Sequence, residues 1–250
     1  MNALAPAWLT PALVVACLVL FAASAWSAWV LAGRRSALGL AGLALSLGWF
    51  AEEMGSTRGW FFGRYRYTTV LGPEIGSVPV AIALMWFALC WIGYAMACLI
   101  LWHRPALSEP AGWPARALTA WLAAMIVTAF DLGADPYFVF VLKAWIMQKT
   151  DGGWFGETLQ GFVGWMAVSF AIILLFQALF QPRQRPAQSH AAVMAALMPI
   201  AIYAAGLGFQ LLFGHPIETR AVAFFAMGLP VVVALAAWWQ WQQADRSPTA

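Results

Sequence analysis

The sequence predicts an all-α fold: a polytopic transmembrane bundle of about seven helices with a short re-entrant or interfacial segment. Three observations predict it. Hydrophobic residues make up 63% of the 250 residues and charged residues only 9%, against about 45–50% and about 25% in a soluble domain. The apolar residues come in runs long enough to span hydrocarbon, which takes about 20 residues of helix. No polar domain interrupts those runs between Leu9 and Trp241, so residues 1–250 read as a single integral membrane domain.

The runs follow in order as 9–32, 36–54, 79–102, 115–134, 158–181, 191–213 and 219–241. Arg34 and Arg35 divide the first two, and Arg104 to Pro114 divide the third from the fourth. Pro182 to His190, with Arg183 and Arg185, is the most loop-like stretch. Pro199 and Pro230 fall inside runs, as membrane helices tolerate. Tyr137 to Met147 is apolar but too short to span and contains Lys143, which makes it the re-entrant or interfacial piece. The first basic residue is Arg34, so the basic start of a signal peptide is missing and the first run is expected to remain. Cys17, Cys90 and Cys98 lie inside apolar runs without metal-binding or disulfide spacing.

The net charge of +3 comes from arginines between spans. No basic stripe exists, which excludes nucleic acid as partner and leaves the lipid bilayer. One set of loops carries Arg34, Arg35, Arg104, Arg116, Arg183, Arg185 and Arg246. The other keeps only Arg220 once two charged stretches are set aside as a site. The first set is therefore expected in the cytoplasm and the N-terminus outside, as for a multi-pass protein of a bacterial inner membrane.

The two charged stretches hold twelve of the 23 charged side chains, six in 52–74 and six in 131–157. The first has Glu52, Glu53, Arg58, Arg64, Arg66 and Glu74; the second has Asp131, Asp135, Lys143, Lys149, Asp151 and Glu157. Parity puts both on one face of the membrane. A carboxylate in the last turns of a membrane helix is costly unless paired or facing a cavity. Glu53, Asp131 and Asp135 are accordingly the candidate catalytic acids, expected to meet in one pocket. Asp131 and Asp135 share a helical face, and Pro136 is expected to turn the chain at Asp135. Two close carboxyls in low dielectric tend to hold one proton between them, giving an acid beside a base. Helix-end salt bridges to Arg58, Arg64 or Lys143 would explain the same residues without catalysis. The run Trp60 to Tyr67 alternates Arg64, Tyr65, Arg66 and Tyr67, which predicts an extended piece with tyrosines on one side. It reads either as a lid over an apolar pocket or as an interfacial aromatic belt.

Several chemistries are excluded. His103, His190 and His215 are the only histidines, too few for a membrane di-iron centre and unsuited to bis-histidine haem. No phosphate-binding glycine loop and no nucleophile elbow occur. The last run has no lysine to bind retinal. Neither metal nor organic cofactor is expected. What remains suits acid–base chemistry on a lipophilic substrate.

The run Ala51-Glu52-Glu53-Met54-Gly55, continuing through Gly59, Phe62-Gly63, Tyr65, Tyr67, Pro79 and Trp86, resembles the first signature of the carotenoid-biosynthesis membrane proteins. Asp131-Leu132, Asp135-Pro136, Trp145, Trp154-Phe155-Gly156 and Phe162-Val163-Gly164-Trp165 resemble the second. The resemblance covers about 45–170 and departs from the family pattern at Thr158 and Gly161, where a proline and an asparagine are usual. It implies a cofactor-independent hydro-lyase: a carotenoid hydratase that adds water to the terminal double bond of an acyclic carotenoid. An acid protonates the alkene, aromatic faces stabilise the tertiary cation, and a carboxylate takes the proton of the adding water. Beside Asp131, Asp135 and Glu53, the residues assigned to substrate are Glu52, Arg58, Phe62, Tyr65, Tyr67, Trp86, Trp145 and Trp165. Two rivals stay open: a proton-initiated end-group cyclase, and a non-enzymatic carotenoid- or lipid-binding membrane protein. The expected substrate is a lipophilic carotenoid or other isoprenoid. The sequence leaves the oligomeric state open.

Overall fold

The structure is a computed structural model, and it describes residues 6–107, 112–148, 154–155, 158–180 and 189–244. Its helices are α1 (Leu9–Arg58), α2 (Val80–Trp102), α3 (Trp113–Tyr137), α4 (Leu159–Leu179), α5 (His190–Phe213) and α6 (Glu218–Ala244). Helix α1 breaks at Gly33, where φ is 80° and ψ 164°. Only glycine takes that backbone cheaply, so one long helix becomes two limbs, and the expected first and second spans are both helical.

Six segments are long and apolar enough to cross a bilayer: Leu9–Ala32, Val80–Trp102, Trp113–Leu142, Leu159–Leu179, His190–Phe213 and Glu218–Gln243. The chain is thus a multi-pass membrane protein. The expected span 36–54 falls short of that apolarity, because it begins beside Arg34 and Arg35 and ends on Glu52 and Glu53. Its packing places it inside the bundle all the same: Ala37, Leu40, Ala44 and Ala51 are buried on one side of the limb.

Helix α2 is the axis of the bundle. Trp86, Trp91, Tyr94 and Met96 are fully buried on it, as the other helices surround it. The outer helices instead present large apolar side chains outward, among them Val19 on α1 and Phe225 and Leu229 on α6. That is the surface lipid covers. Lipid is as apolar as leucine, so burial alone does not drive these helices together. Close packing and hydrogen bonds do. The Trp91 indole donates to Ser27 Oγ at 2.9 Å, and that hydroxyl donates to the Ala195 carbonyl at 2.7 Å, tying α2, α1 and α5. Tyr203 donates to the Ile126 carbonyl at 2.7 Å and Gln210 to that of Phe130 at 2.8 Å, tying α5 to α3. Interhelical bonds of this kind average about 0.6 kcal/mol each in a membrane.

One end of the bundle carries four short strands, β1 (Tyr65–Tyr67), β2 (Glu74–Ile75), β3 (Val78–Pro79) and β4 (Trp145–Met147). Strands β2 and β3 form a hairpin. Strands β1 and β4 pair antiparallel, Tyr65 opposite Met147 and Tyr67 opposite Trp145. This pairing brings the two charged stretches to one end of the bundle, as parity requires. The alternation expected of β1 holds: Tyr65 is buried while Arg64 and Arg66 are exposed.

Two local expectations are corrected. Pro136 does not turn the chain at Asp135; it lies inside α3, which runs on to Tyr137. The helix continues as a π turn, Phe138–Leu142, and neighbouring backbone readjusts around a proline in a membrane helix in this way. The reversal comes at Lys143, at φ 52°. The piece Tyr137 to Met147 is consequently the end of α3 with its π turn, the reversal at Lys143 and strand β4, and its residues up to Leu142 belong to the apolar segment Trp113–Leu142 instead of forming a separate re-entrant piece. Lys149, Asp151, Gly156, Glu157, residues 181–188 with Arg183 and Arg185, Glu109, Asp245 and Arg246 lie outside the described residues.

Candidate active site

The site is built around Glu52, six residues before the end of α1. Its side chain is 4% exposed and accepts three hydrogen bonds. The Tyr65 hydroxyl donates to Oε2 over a short contact, and the Tyr67 hydroxyl donates to the same oxygen at 2.8 Å. The Trp86 indole Nε1 donates to Oε1 at 2.9 Å. A buried carboxylate without partners would cost several kcal/mol, so this set of donors is what permits it. Strand geometry supplies two of them: Tyr65 and Tyr67 stand two apart and point to the same face of β1. Pairing with β4 holds that strand in place.

Glu52 lines a cavity of about 40 Å³, partly open to the outside, together with Phe62, Tyr65, Tyr67, Ile82, Asp135, Trp145, Met147, Gly161 and Trp165. Such a volume has room for only a few water-sized groups, well below a site that encloses a whole ligand. It suits the end of a long polyene and not its whole length. The walls are aromatic. Trp165 stacks on Trp86 with ring centres 4.2 Å apart and planes 13° apart. Phe62 lies 6.0 Å from each of those rings. Tyr67 meets Trp145 edge-on at 6.0 Å, and Trp145 stacks on Phe138 at 5.2 Å. Gly48 makes room for Trp86, since a β-carbon there would overlap the indole. The turn that delivers Phe62 is tight: Phe61 sits at φ 58°, between Gly59 at 76° and Gly63 at 86°. A non-glycine residue in that region stores strain.

Asp135 reaches the cavity from α3, and its charge acts on Tyr65. Burial, and then the charge of Glu52, hold the Tyr65 and Tyr67 hydroxyls well above the usual phenol range. Both phenols therefore stay protonated and remain donors at neutral pH.

Most of the expected residues converge here. Glu52, Asp135, Phe62, Tyr65, Tyr67, Trp145 and Trp165 line the cavity, and Trp86 is bonded to Glu52 behind it. Three are placed differently. The Glu53 carboxylate accepts from the Ser77 backbone N–H and from Ser77 Oγ, both at 2.8 Å, and so holds the β2–β3 hairpin. The expected meeting of Glu53 with Asp131 and Asp135 does not occur. Adjacent helical residues point about a hundred degrees apart, so the cavity takes Glu52 and the hairpin takes Glu53. Asp131 is buried at 5% exposure, one turn before Asp135 and outside the cavity lining. Arg58 is exposed in the last turn of α1, where a cation complements the helix dipole.

Ile82, Met147 and Gly161 also line the cavity; the sequence offers no sign of the first two and marks Gly161 only as a departure from the family pattern. Met147 follows from the β1–β4 register, which sequence does not reveal. Gly161 follows from the close approach of α4, whose Thr158 cap accepts from the Gly161 N–H at 3.1 Å while Gln160 Nε2 donates to the Gly59 carbonyl at 3.0 Å. Among the described residues, no group of three or more His, Cys, Asp and Glu side chains is placed to hold a metal.

Residues 12–230 fit the model of the family described as "Carotenoid biosynthesis protein". No curated protein and no solved structure matches the chain.

Proposed function

Since the chain belongs to the carotenoid biosynthesis protein family, we propose that it is a cofactor-independent hydratase acting on the terminal double bond of an acyclic carotenoid. One observation carries this reading: two carboxyl groups, Glu52 and Asp135, face one cavity whose other walls are mostly aromatic.

The chemistry follows from that arrangement. A polyene end enters the cavity among Phe62, Trp145 and Trp165. One carboxyl, protonated, gives its proton to the less substituted carbon of the terminal alkene. The double bond's electron pair forms the new C–H bond, and a tertiary cation remains on the neighbouring carbon. Aromatic faces and the second, ionised carboxyl stabilise that cation. Water forms a C–O bond to it and passes its extra proton to the ionised carboxyl. The two carboxyls have exchanged roles, and proton transfer between them or through water resets the site. Tyr65 and Tyr67 hold Glu52 in place and keep hydroxyl groups beside the cation. Asp131, one turn behind Asp135, supports that side chain's setting. Glu53 acts through the hairpin it fixes.

The route needs water beside the cavity, and the cavity is partly open. That opening favours hydration over cyclisation, in which a second alkene of the same chain captures the cation. The test is expression in a host that makes acyclic carotenoids, followed by product mass. Addition of one water supports the hydratase; an isomer of unchanged mass indicates a cyclase; unaltered carotenoid indicates a binding protein.

A further inference from the structure

Two glycines in the first turns of α4 are not equivalent. A β-carbon on Gly164 would run into the Phe61 carbonyl carbon and oxygen, so packing alone demands glycine there. A β-carbon on Gly161 would meet nothing closer than Thr158 Oγ1 at 3.6 Å and the Phe62 carbonyl oxygen at 3.7 Å, which are ordinary contacts. Its φ lies outside the left-handed region. Glycine is a poorer helix residue than alanine, and neither backbone nor packing asks for it at 161. What the missing side chain leaves is space, and that space belongs to the cavity, because Gly161 lines it beside Phe62 and Trp165.

We propose that Gly161 determines substrate size at this site: the volume left by its absent side chain admits the methyl-branched end of an isoprenoid chain. The cavity is small and its aromatic walls interlock, so they cannot retreat from an added side chain at this position. Trp165 is held by its stack on Trp86, and Trp86 by its bond to Glu52. Thr158 keeps capping α4 whatever stands at 161, because it bonds the backbone N–H. The inference rests on the cavity being the carotenoid site, and not on whether the reaction there is hydration.

The experiment is binding. Full-length wild type, Gly161→Ala and Gly161→Leu, each in lipid nanodiscs, are titrated with lycopene, and quenching of tryptophan fluorescence is read. Gly42→Ala is the control, since Gly42 is exposed on α1 with open space around it. One methylene of misfit in an apolar pocket changes recognition by about 10–200-fold. Gly161→Ala should therefore weaken binding about tenfold and Gly161→Leu at least about a hundredfold, with Gly42→Ala unchanged. Wild-type affinity in both Gly161 variants overturns the proposal, as does equal weakening by Gly42→Ala. A wild type that binds lycopene tightly but never adds water would sink the hydratase and leave this inference standing.

Discussion

Glu52 and Trp86 are joined across the α1–α2 contact, indole Nε1 to carboxylate Oε1 at 2.9 Å, with both side chains buried. The bond anchors the Glu52 carboxyl to the central helix of the bundle. Trp86→Phe keeps most of the ring and the stack on Trp165 but removes the donor. An acceptor left unsatisfied in this way costs about 1–3 kcal/mol. The expected result is a lower melting temperature in detergent together with reduced turnover. An unchanged melting temperature would mean that Glu52 finds another donor.

The neighbouring carboxylates separate by role. Glu52→Gln retains shape and polarity but carries no titrating proton, so turnover per folded molecule should fall about 10²–10⁴-fold. Glu53→Gln should act on the β2–β3 hairpin through Ser77, lowering the yield of folded protein while turnover per molecule stays near wild type. Product yield normalised to inserted protein distinguishes them.

On α3 the same comparison runs between Asp135 and Asp131. Asp135→Asn should cost turnover to the same order as Glu52→Gln, because both side chains face the cavity. Asp131→Asn, buried one turn behind, should cost less. Equal losses from the two would move the acid–base pair onto α3 alone.

The phenols give a pH prediction. Burial and the Glu52 charge raise Tyr65 and Tyr67 above the ordinary phenol value of about 10. A proton held more tightly in the folded state stabilises it below the unfolded pKa, and that stability is lost as pH rises through the folded pKa. The protein should keep its site up to about pH 10 and lose stability above it. Tyrosinate absorbance from these two residues should appear only with unfolding, read as the difference between wild type and Tyr65→Phe/Tyr67→Phe.

The β1–β4 pairing can be trapped. Arg66 and Ile146 are register partners and both are exposed. Directly opposed residues of antiparallel strands stand about 4.5–5.5 Å apart at Cα, within disulfide range. Arg66→Cys/Ile146→Cys should cross-link under mild oxidant, and either single variant should not.

The fold was largely legible because lipid imposes a length and an apolarity on each span, and both are properties of a local window. The limb ending at Glu52 and Glu53 was legible as helix for the same reason, although those carboxylates dilute its apolarity. The Arg64–Tyr67 alternation announced a strand and the face its tyrosines take. What stayed hidden depends on three dimensions. Sequence places Glu52 and Glu53 side by side, and only the packing of α1 against the hairpin decides which of them faces the cavity. Pro136 reads as a turn by the rule for soluble helices, whereas α3 runs through it and continues as a π turn. Gly161 stood out in the sequence only as a departure from the family pattern, and its place in the cavity lining needed the packing of α4.

In the proposed reaction Glu52 and Asp135 add water to a carotenoid end. The most direct measurement is incubation of the purified chain with lycopene in oxygen-labelled water, followed by mass spectrometry of the extracted carotenoid. The expected product is heavier by one water, carries the label as a tertiary alcohol, is formed by wild type and is lost in Glu52→Gln and Asp135→Asn. An unlabelled isomer, or labelled product formed equally well by both variants, would contradict it.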